Sequence, residues 1–161
     1  MLRRSRIDDE EFGEDGVAAG HGLSGLRLLV INDDPHSCEL ISRLVESLGC
    51  RARRVGAPEG VVDFVADPMN EIGGVVIDLR AGVPASVPIL TGVRGIDGEA
   101  GAIPVAVLTS TADDDGPVWA AGGDLFLARP FHADDFLRDL EAVLMAPVEK
   151  LAEQRAARAP G

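Results

Sequence analysis

The sequence predicts an α/β fold built around one parallel sheet. Five short apolar runs alternate along the chain with longer stretches of helical period, which is typical of βα units. Polar residues follow several of these runs, and the carboxyl ends of parallel strands are where such folds place their functional groups. With 161 residues, 46% of them apolar, the chain can form one domain with a buried core.

Strands are predicted at residues 26–31, 50–55, 74–79, 103–108 and 125–128. The second run carries three arginines, which suits the edge of a sheet. The third run is apolar throughout until it reaches Asp78, so it should be buried on both faces of the sheet.

Helices are predicted between and after these strands. The first covers residues 35–48, with Asp34 as its N-cap and Gly49 ending it. Others are predicted at 58–66, near 118–121, and from Ala133 until Pro147 kinks or ends the helix. Glycines and prolines interrupt residues 80–102 so often that only a short helix near 89–94 is expected there.

The ends of the chain differ in composition from its middle. Residues 1–24 change from basic to acidic to glycine-rich and are predicted as a flexible N-terminal tail, followed by a domain at 25–146 and a C-terminal helical tail at 147–161. The net charge of −12 disfavours direct binding to nucleic acid. Without a signal peptide or a membrane span in the sequence, no membrane contact and a cytoplasmic location are expected. Cys38 and Cys50 are expected to be packed, reduced thiols.

Candidate functional residues follow four of the five predicted strands. They are residues 32–34 (Asn-Asp-Asp), Asp78, Thr109 with Ser110, and Arg129. Carboxylates without nearby cysteine or histidine favour a hard cation such as Mg²⁺. A carboxylate beside such a cation, with a hydroxyl and a positive group opposite, is suited to accepting a phosphoryl group.

Four stretches of the chain resemble the signature segments of response-regulator receiver domains. They are LLVINDDP, VVIDLR, VAVLTS and GGDLFLARPF, in the family's order and at nearly its spacing, within about residues 26–145. Each stretch alone is a weak signal, whereas four in register are a strong one. The resemblance implies a flavodoxin-like, doubly wound sheet of strand order 2-1-3-4-5 with helices on both faces. It also implies a phosphoaspartate formed from a histidine kinase or a phosphotransfer protein.

The resemblance implies a role for each matched position. Asp78 would be the phosphoacceptor, assisted by Thr109 and Arg129 as the other catalytic residues. Thr109 and Phe126 would form the switch that responds to phosphorylation.

The metal site implied by the resemblance is less complete. Asp33, Asp78 and the backbone carbonyl of Arg80 would bind Mg²⁺, with Asp34 or Asn32 as a further candidate ligand. Asn32 replaces the family's first acidic residue, so the site loses a charge and Mg²⁺ binding is expected to be weaker.

Other positions depart from the family pattern as well. Arg129 stands where lysine is usual, and a planar guanidinium is a poor substitute for a compact ammonium group in a tight site. Gly82 and Ser86 replace a usual proline and a usual glycine.

Three functions are therefore open. The preferred hypothesis is a receiver, not an enzyme, in which phosphorylation of Asp78 biases a face formed by the fourth helix, fifth strand and fifth helix. A downstream protein, or a second copy in a homodimer, would read that face. The first alternative is a phosphorylation-independent pseudo-receiver that acts as an interaction module, as Asn32 and Arg129 suggest. The second is a small phosphatase with an aspartyl nucleophile, although such enzymes carry their D-x-D pattern after the first strand.

Overall fold

The computed structural model describes residues 22–159. Five parallel strands form one sheet: β1 (Arg27–Asn32), β2 (Arg51–Val55), β3 (Ile72–Asp78), β4 (Val105–Thr109) and β5 (Leu125–Ala128). Their spatial order is β2-β1-β3-β4-β5, as the resemblance implied. The predicted strands agree with these bounds to within two residues at each end. The prediction of a flexible tail falls largely on residues 1–21, outside the described residues.

Six α-helices of the described residues connect or follow these strands: α1 (Pro35–Glu46), α2 (Val61–Ala66), α3 (Val83–Arg94), α4 (Gly116–Ala120), α5 (Ala133–Met145) and α6 (Val148–Arg158). The predicted cap of α1 is confirmed: the Asp34 side chain accepts a hydrogen bond from the amide of His36, and Pro35 occupies the first helical turn. This cap turns the chain sharply away from the end of β1, so the first turn of α1 lies beside the strand ends.

Each face of the sheet carries its own apolar core. One core packs α2, α3 and α4 against residues such as Leu29 and Ile77, and the other packs α1 and α5 against residues such as Leu28 and Val76. Because successive side chains of a strand point to opposite faces, both helix layers rest on the same strands. The central strands are therefore buried on both sides, which confirms the prediction made for β3 and extends it to β1 and β4.

Helix α3 is longer than predicted, since it spans Val83–Arg94 rather than only 89–94. Pro84 lies in the first turn, where the missing N–H has no intrahelical acceptor, so it does not break the helix. Gly92 lets α2 and α3 approach closely: a Cβ built there would lie 2.7 Å from a methyl carbon of Val62. Burial of one face of α3 outweighs the low helix propensity that the sequence suggested.

Helix α5 ends at Met145 and α6 begins after Pro147, as expected from that proline. Helix α6 is docked on the domain through buried Leu151 and through Arg155, whose guanidinium pairs with Asp124. The Asp124 carboxylate, only 3% exposed, also pairs with Arg94. Burial lowers the pKa of Arg94 to about 10, which still leaves it charged at neutral pH.

Two further observations concern the described residues. Both cysteines are free and buried, as predicted, and burial raises the pKa of the Cys50 thiol to about 11. Between residues 22 and 159, no helix combines the length and the apolar character needed to cross a bilayer.

Candidate functional site

The carboxyl ends of β1, β3 and β4 bring the candidate residues to one edge of the sheet. Asn32, the last residue of β1, lies in register beside Asp78, the last residue of β3. Asp78 is in turn paired with Leu108, one residue before Thr109 ends β4. The regular register of the parallel strands therefore places side chains distant in sequence beside one another.

Asp78 is buried and surrounded by hydrogen-bond donors. Its side chain is 7% exposed, and its Oδ2 atom accepts hydrogen bonds from Asn32 Nδ2 at 2.9 Å and from Ser37 Oγ at 3.0 Å. Buried carboxylates require such partners, because an unpaired charge away from water is costly.

Arg129 binds both oxygens of the Asp78 carboxylate. Nη1 lies 3.0 Å from Oδ1 and Nη2 lies 2.6 Å from Oδ2, in the two-pronged geometry that a planar guanidinium allows. Further contacts hold the guanidinium in place: it donates to Ser110 Oγ and Ser37 Oγ, and it lies 5.3 Å from the centre of the Phe131 ring. Arg129 therefore neutralises Asp78 and covers both of its oxygens.

Asn32 presents a donor, not an acceptor, to Asp78. Its Oδ1 accepts a hydrogen bond from the amide of Asp34 at 2.9 Å, which leaves Nδ2 facing Asp78 and Ser37. An aspartate at this position would instead direct a second negative charge towards Asp78. Because this position carries asparagine, a single cation, Arg129, is enough to balance the negative charge of the buried cluster.

The other predicted metal ligands have partners of their own. Asp33 Oδ1 accepts a hydrogen bond from the backbone N–H of Arg80 at 3.0 Å, which ties the end of β1 to the loop after β3. The carboxylate of Asp34 caps α1, so it is engaged outside the Asp78 cluster.

Thr109 lies near the cluster but bonds elsewhere. Its hydroxyl lies 2.9 Å from Thr111 Oγ1 and 3.3 Å from Asp113 Oδ2. Asp113 also accepts from the amide of Val83 at 2.9 Å, and hydrogen bonds from Thr111 and Val83 lower the pKa of its carboxyl group. The Thr109 hydroxyl is therefore part of a network that joins the β4 end to the start of α3.

Phe126, the predicted switch aromatic, lies in β5. Its side chain is half-buried and packs against the core on the α3 and α4 side of the sheet.

The donor atoms in this structure do not fit a magnesium ion. Mg²⁺ requires an octahedral set of oxygen ligands, whereas both oxygens of Asp78 are engaged by Arg129, and Asn32 turns its nitrogen towards Asp78. Of the predicted ligands, the second carboxylate oxygens of Asp33 and Asp34 and the carbonyl of Arg80 are left. Among residues 22–159, no group of three or more acidic, cysteine or histidine side chains is arranged to hold a metal ion. The magnesium site implied by the resemblance stays a prediction.

Sequence reasoning missed one contributor to the cluster, Ser37, whereas Ser110, a candidate together with Thr109, accepts a hydrogen bond from Arg129. Ser37 lies in the first turn of α1, so its hydroxyl faces the strand ends and bridges Asp78, Asn32 and Arg129. Its position two residues after Pro35 was the available signal, because that turn follows a sharp cap beside the cluster.

An apolar groove adjoins the Asp78–Arg129 pair. Its volume is about 500 Å³, and α1 and the loop between β5 and α5 form its walls: Leu40, Ile41, Leu44, Arg129, Pro130, Phe131 and Ala133. Leu40 is 60% exposed there.

Comparisons with known proteins place the fold. Neither a protein-family model nor a curated protein sequence matches the chain. A response regulator receiver protein from Burkholderia phymatum is 26% identical, with a TM-score of 0.62 over 76% of this chain and 97% of that one. A response regulator receiver domain protein from Clostridium thermocellum is 21% identical, with a TM-score of 0.59 over 82% and 98%. The chemotaxis protein CheY4 of Vibrio cholerae is 16% identical, with a TM-score of 0.63 over 74% and 99%. The strand order and these likenesses together show that the chain has the fold of response-regulator receiver domains.

Proposed function

We propose that this chain is a signalling module of the response-regulator type that works without phosphorylation, with Asp78 held in a standing ion pair by Arg129. The receiver fold supports a response-regulator role at the level of the family. On this proposal the chain is not an enzyme. It acts through contact with a partner protein at the face formed by α4, β5 and α5.

The two-pronged contact between Arg129 and Asp78 carries this proposal. A phosphoacceptor needs a carboxylate oxygen that is free to attack phosphorus, and here each oxygen accepts at least one charged N–H group. A lysine could hold only one point contact and swing away, whereas the guanidinium is held on several sides by Ser37, Ser110 and Phe131.

The charge balance of the site supports the same interpretation. One guanidinium, one amide and one hydroxyl donate to the Asp78 carboxylate, so its charge is balanced by one cation and two neutral donors. With Asn32 in place of an acid, no excess negative charge is left in the cluster to attract a divalent cation.

Phosphorylation of Asp78 is the second candidate, and one observation favours it. Arg129 and the Ser37 hydroxyl contact the Asp78 oxygens, and these groups could also donate to the oxygens of a phosphoryl group. In this version a histidine kinase or a phosphotransfer protein supplies the phosphoryl group. The signal then depends on whether the Arg129 pair opens.

A phosphodonor assay separates the two candidates. The full-length protein is incubated with acetyl phosphate and Mg²⁺, and intact mass spectrometry measures the addition of one phosphoryl group. We expect no addition to the natural chain. The variant Asn32→Asp/Arg129→Lys, which reverses both departures, should gain the mass, and adding Asp78→Asn to that variant should remove the gain.

The variants also serve as controls for the assay. Labelling of the double variant shows that the donor, the metal and the fold are competent, so a negative result for the natural chain is then informative. Addition of a phosphoryl group to the natural chain that Asp78→Asn abolishes would contradict the proposal and establish the second candidate.

A further inference from the structure

Three arginines form a positive surface at the edge of the sheet, remote from the Asp78 cluster. Arg51 and Arg53 lie two residues apart in β2, so their side chains share one face of the sheet. Arg27 is the register partner of Arg51 on β1 and points to the same face. We call Arg27, Arg51 and Arg53 the arginine face. With Phe64 and Asn70 they line a cavity of about 300 Å³.

The described part of the chain supplies no carboxylate partner to this face. The ion pairs within residues 22–159 are formed by Arg43, Arg94, Arg129, Arg138 and Arg155. The arginine face instead contacts uncharged groups. Arg27 donates to the Asn70 carbonyl at 3.2 Å, and the Arg53 guanidinium lies 5.0 Å from the centre of the Phe64 ring. Three guanidinium groups side by side repel one another unless an anion lies between them.

The chain itself contains an anionic segment with matching charge. Residues 8–15 read DDEEFGED and include six carboxylates, and no lysine or arginine occurs from residue 7 to the start of the described part. Six negative charges in eight residues are ample for the three guanidiniums of the arginine face. Arginine binds carboxylates in the two-pronged geometry that gives both strength and direction.

The described part of the chain begins close to the start of β2. The amide of Gly25 donates to the Gly49 carbonyl at 2.9 Å, and the amide of Arg51 donates to the Leu26 carbonyl at 2.7 Å. Six residues lie between Asp15 and Gly22, and the seven Cα–Cα steps of this stretch reach up to about 25 Å when the chain is extended. The five residues of β2 span only about 17 Å. The acidic segment can therefore reach the whole arginine face.

From the charge match and the entry point, we propose that residues 8–15 of this chain bind its own arginine face, along the outer edge of β2. The edge offers backbone groups as well as charges. Because the Arg51 amide points towards β1, the amides of Ala52 and Arg54 point away from the sheet, where an added segment would accept from them. The bound segment would thus cover an edge strand that is otherwise open on its outer side within the described residues.

Nuclear magnetic resonance on the full-length chain at low salt tests the contact. The variant Asp8→Asn/Asp9→Asn/Glu10→Gln/Glu11→Gln removes four charges without shortening the protein. We expect changes in the signals of Ala52 and Arg54 and of the Arg51 and Arg53 side chains, and faster amide exchange at Ala52 and Arg54. These differences should shrink at high salt, since the screening length falls to about 3 Å at 1 M.

A binding experiment gives the magnitude. A peptide of residues 7–16 is titrated into the charge-neutralised full-length variant, whose arginine face is unoccupied on this proposal. Adding Arg51→Gln/Arg53→Gln to that protein should weaken binding about tenfold. The control is Arg54→Gln, compared with Arg53→Gln alone: each removes one charge from β2, but Arg54 lies on the opposite face, so its exchange should leave the affinity within about twofold.

Variants with exchanged charges distinguish loss of the contact from loss of the fold. Arg51→Glu/Arg53→Glu should abolish the contact, and replacing Asp8, Asp9, Glu10 and Glu11 by arginine in the same chain should restore it. If signals at β2 are the same with and without the four acidic residues, the proposal is wrong. It is also wrong if the signal changes appear only as protein concentration rises, because the occupant is then the segment of a second copy.

Discussion

The exchange Asp124→Asn tests the charge network that holds α6 on the domain. Asp124 Oδ1 accepts from Arg155 Nε at 2.7 Å. Oδ2 accepts from Arg155 Nη2 at 2.9 Å, from Arg94 Nη2 at 2.8 Å and from the Val105 amide at 2.9 Å. One buried carboxylate therefore balances two guanidinium groups that are mostly buried themselves.

The expected loss follows from what the asparagine leaves behind. Its amide oxygen can still accept from Val105, but Arg94 and Arg155 lose their counter-ion and keep only carbonyl acceptors such as those of Gly122 and Ala102. Removing one member of a buried ion pair typically costs about 3–5 kcal/mol. Because the size and hydrogen bonding of Asp124 are partly retained, we expect about 3 kcal/mol, or a fall in Tm of roughly 6–12 °C.

Urea unfolding followed by circular dichroism measures the free energy of unfolding of the variant. The matched control is Asp135→Asn, which removes a carboxylate from Arg138, a side chain that is 68% exposed. That control should change stability by no more than about 0.5 kcal/mol. Equal stabilities for Asp124→Asn and Asp135→Asn would refute the idea that the buried network stabilises the domain.

Three further outcomes are expected. Burial raises the pKa of the Cys50 thiol from 9.0 to about 11. The contribution of the neutral thiol to the free energy of unfolding is therefore intact below pH 9 and is lost as pH rises to 11. The free energy of unfolding should then fall by roughly 2–3 kcal/mol more in the natural chain than in Cys50→Ala. Gly92→Ala should destabilise by about 1–2 kcal/mol through its clash with Val62, and Val62→Ala should relieve it in a double-mutant cycle. Arg129→Ala should cost about 2 kcal/mol in urea unfolding, because buried Asp78 keeps only neutral donors, whereas an unchanged value would mean that the pair is not formed in solution.

The sequence predicted the sheet because its signals are local and strong. Apolar runs of strand length and the cap at Asp34 specify β1 and α1 without reference to the rest of the chain. Helix α3 was underestimated because its stability comes from burial against the sheet, which outweighs the effect of Pro88 and Gly92.

The site was predictable as a location but not as a network. The strand ends bring Asp78 and Arg129 together, yet the two-pronged contact depends on side-chain directions that no sequence pattern encodes. The same holds for the Thr109 hydroxyl, which bonds to Thr111 and Asp113 rather than to the Asp78 cluster. Asp124 gave no signal at all, because a single acid before a short strand is usually solvated.

The docking of α6 gives the protein a built-in optical probe. Trp119, the one tryptophan of the sequence, lies in α4 with the Arg158 guanidinium 4.4 Å from its ring centre. Any partner that displaces α6 must also break the ion pair between Arg155 and Asp124 and expose the indole ring to water. A red shift of the intrinsic emission would therefore report release of the C-terminal helix directly, with no label added to the chain.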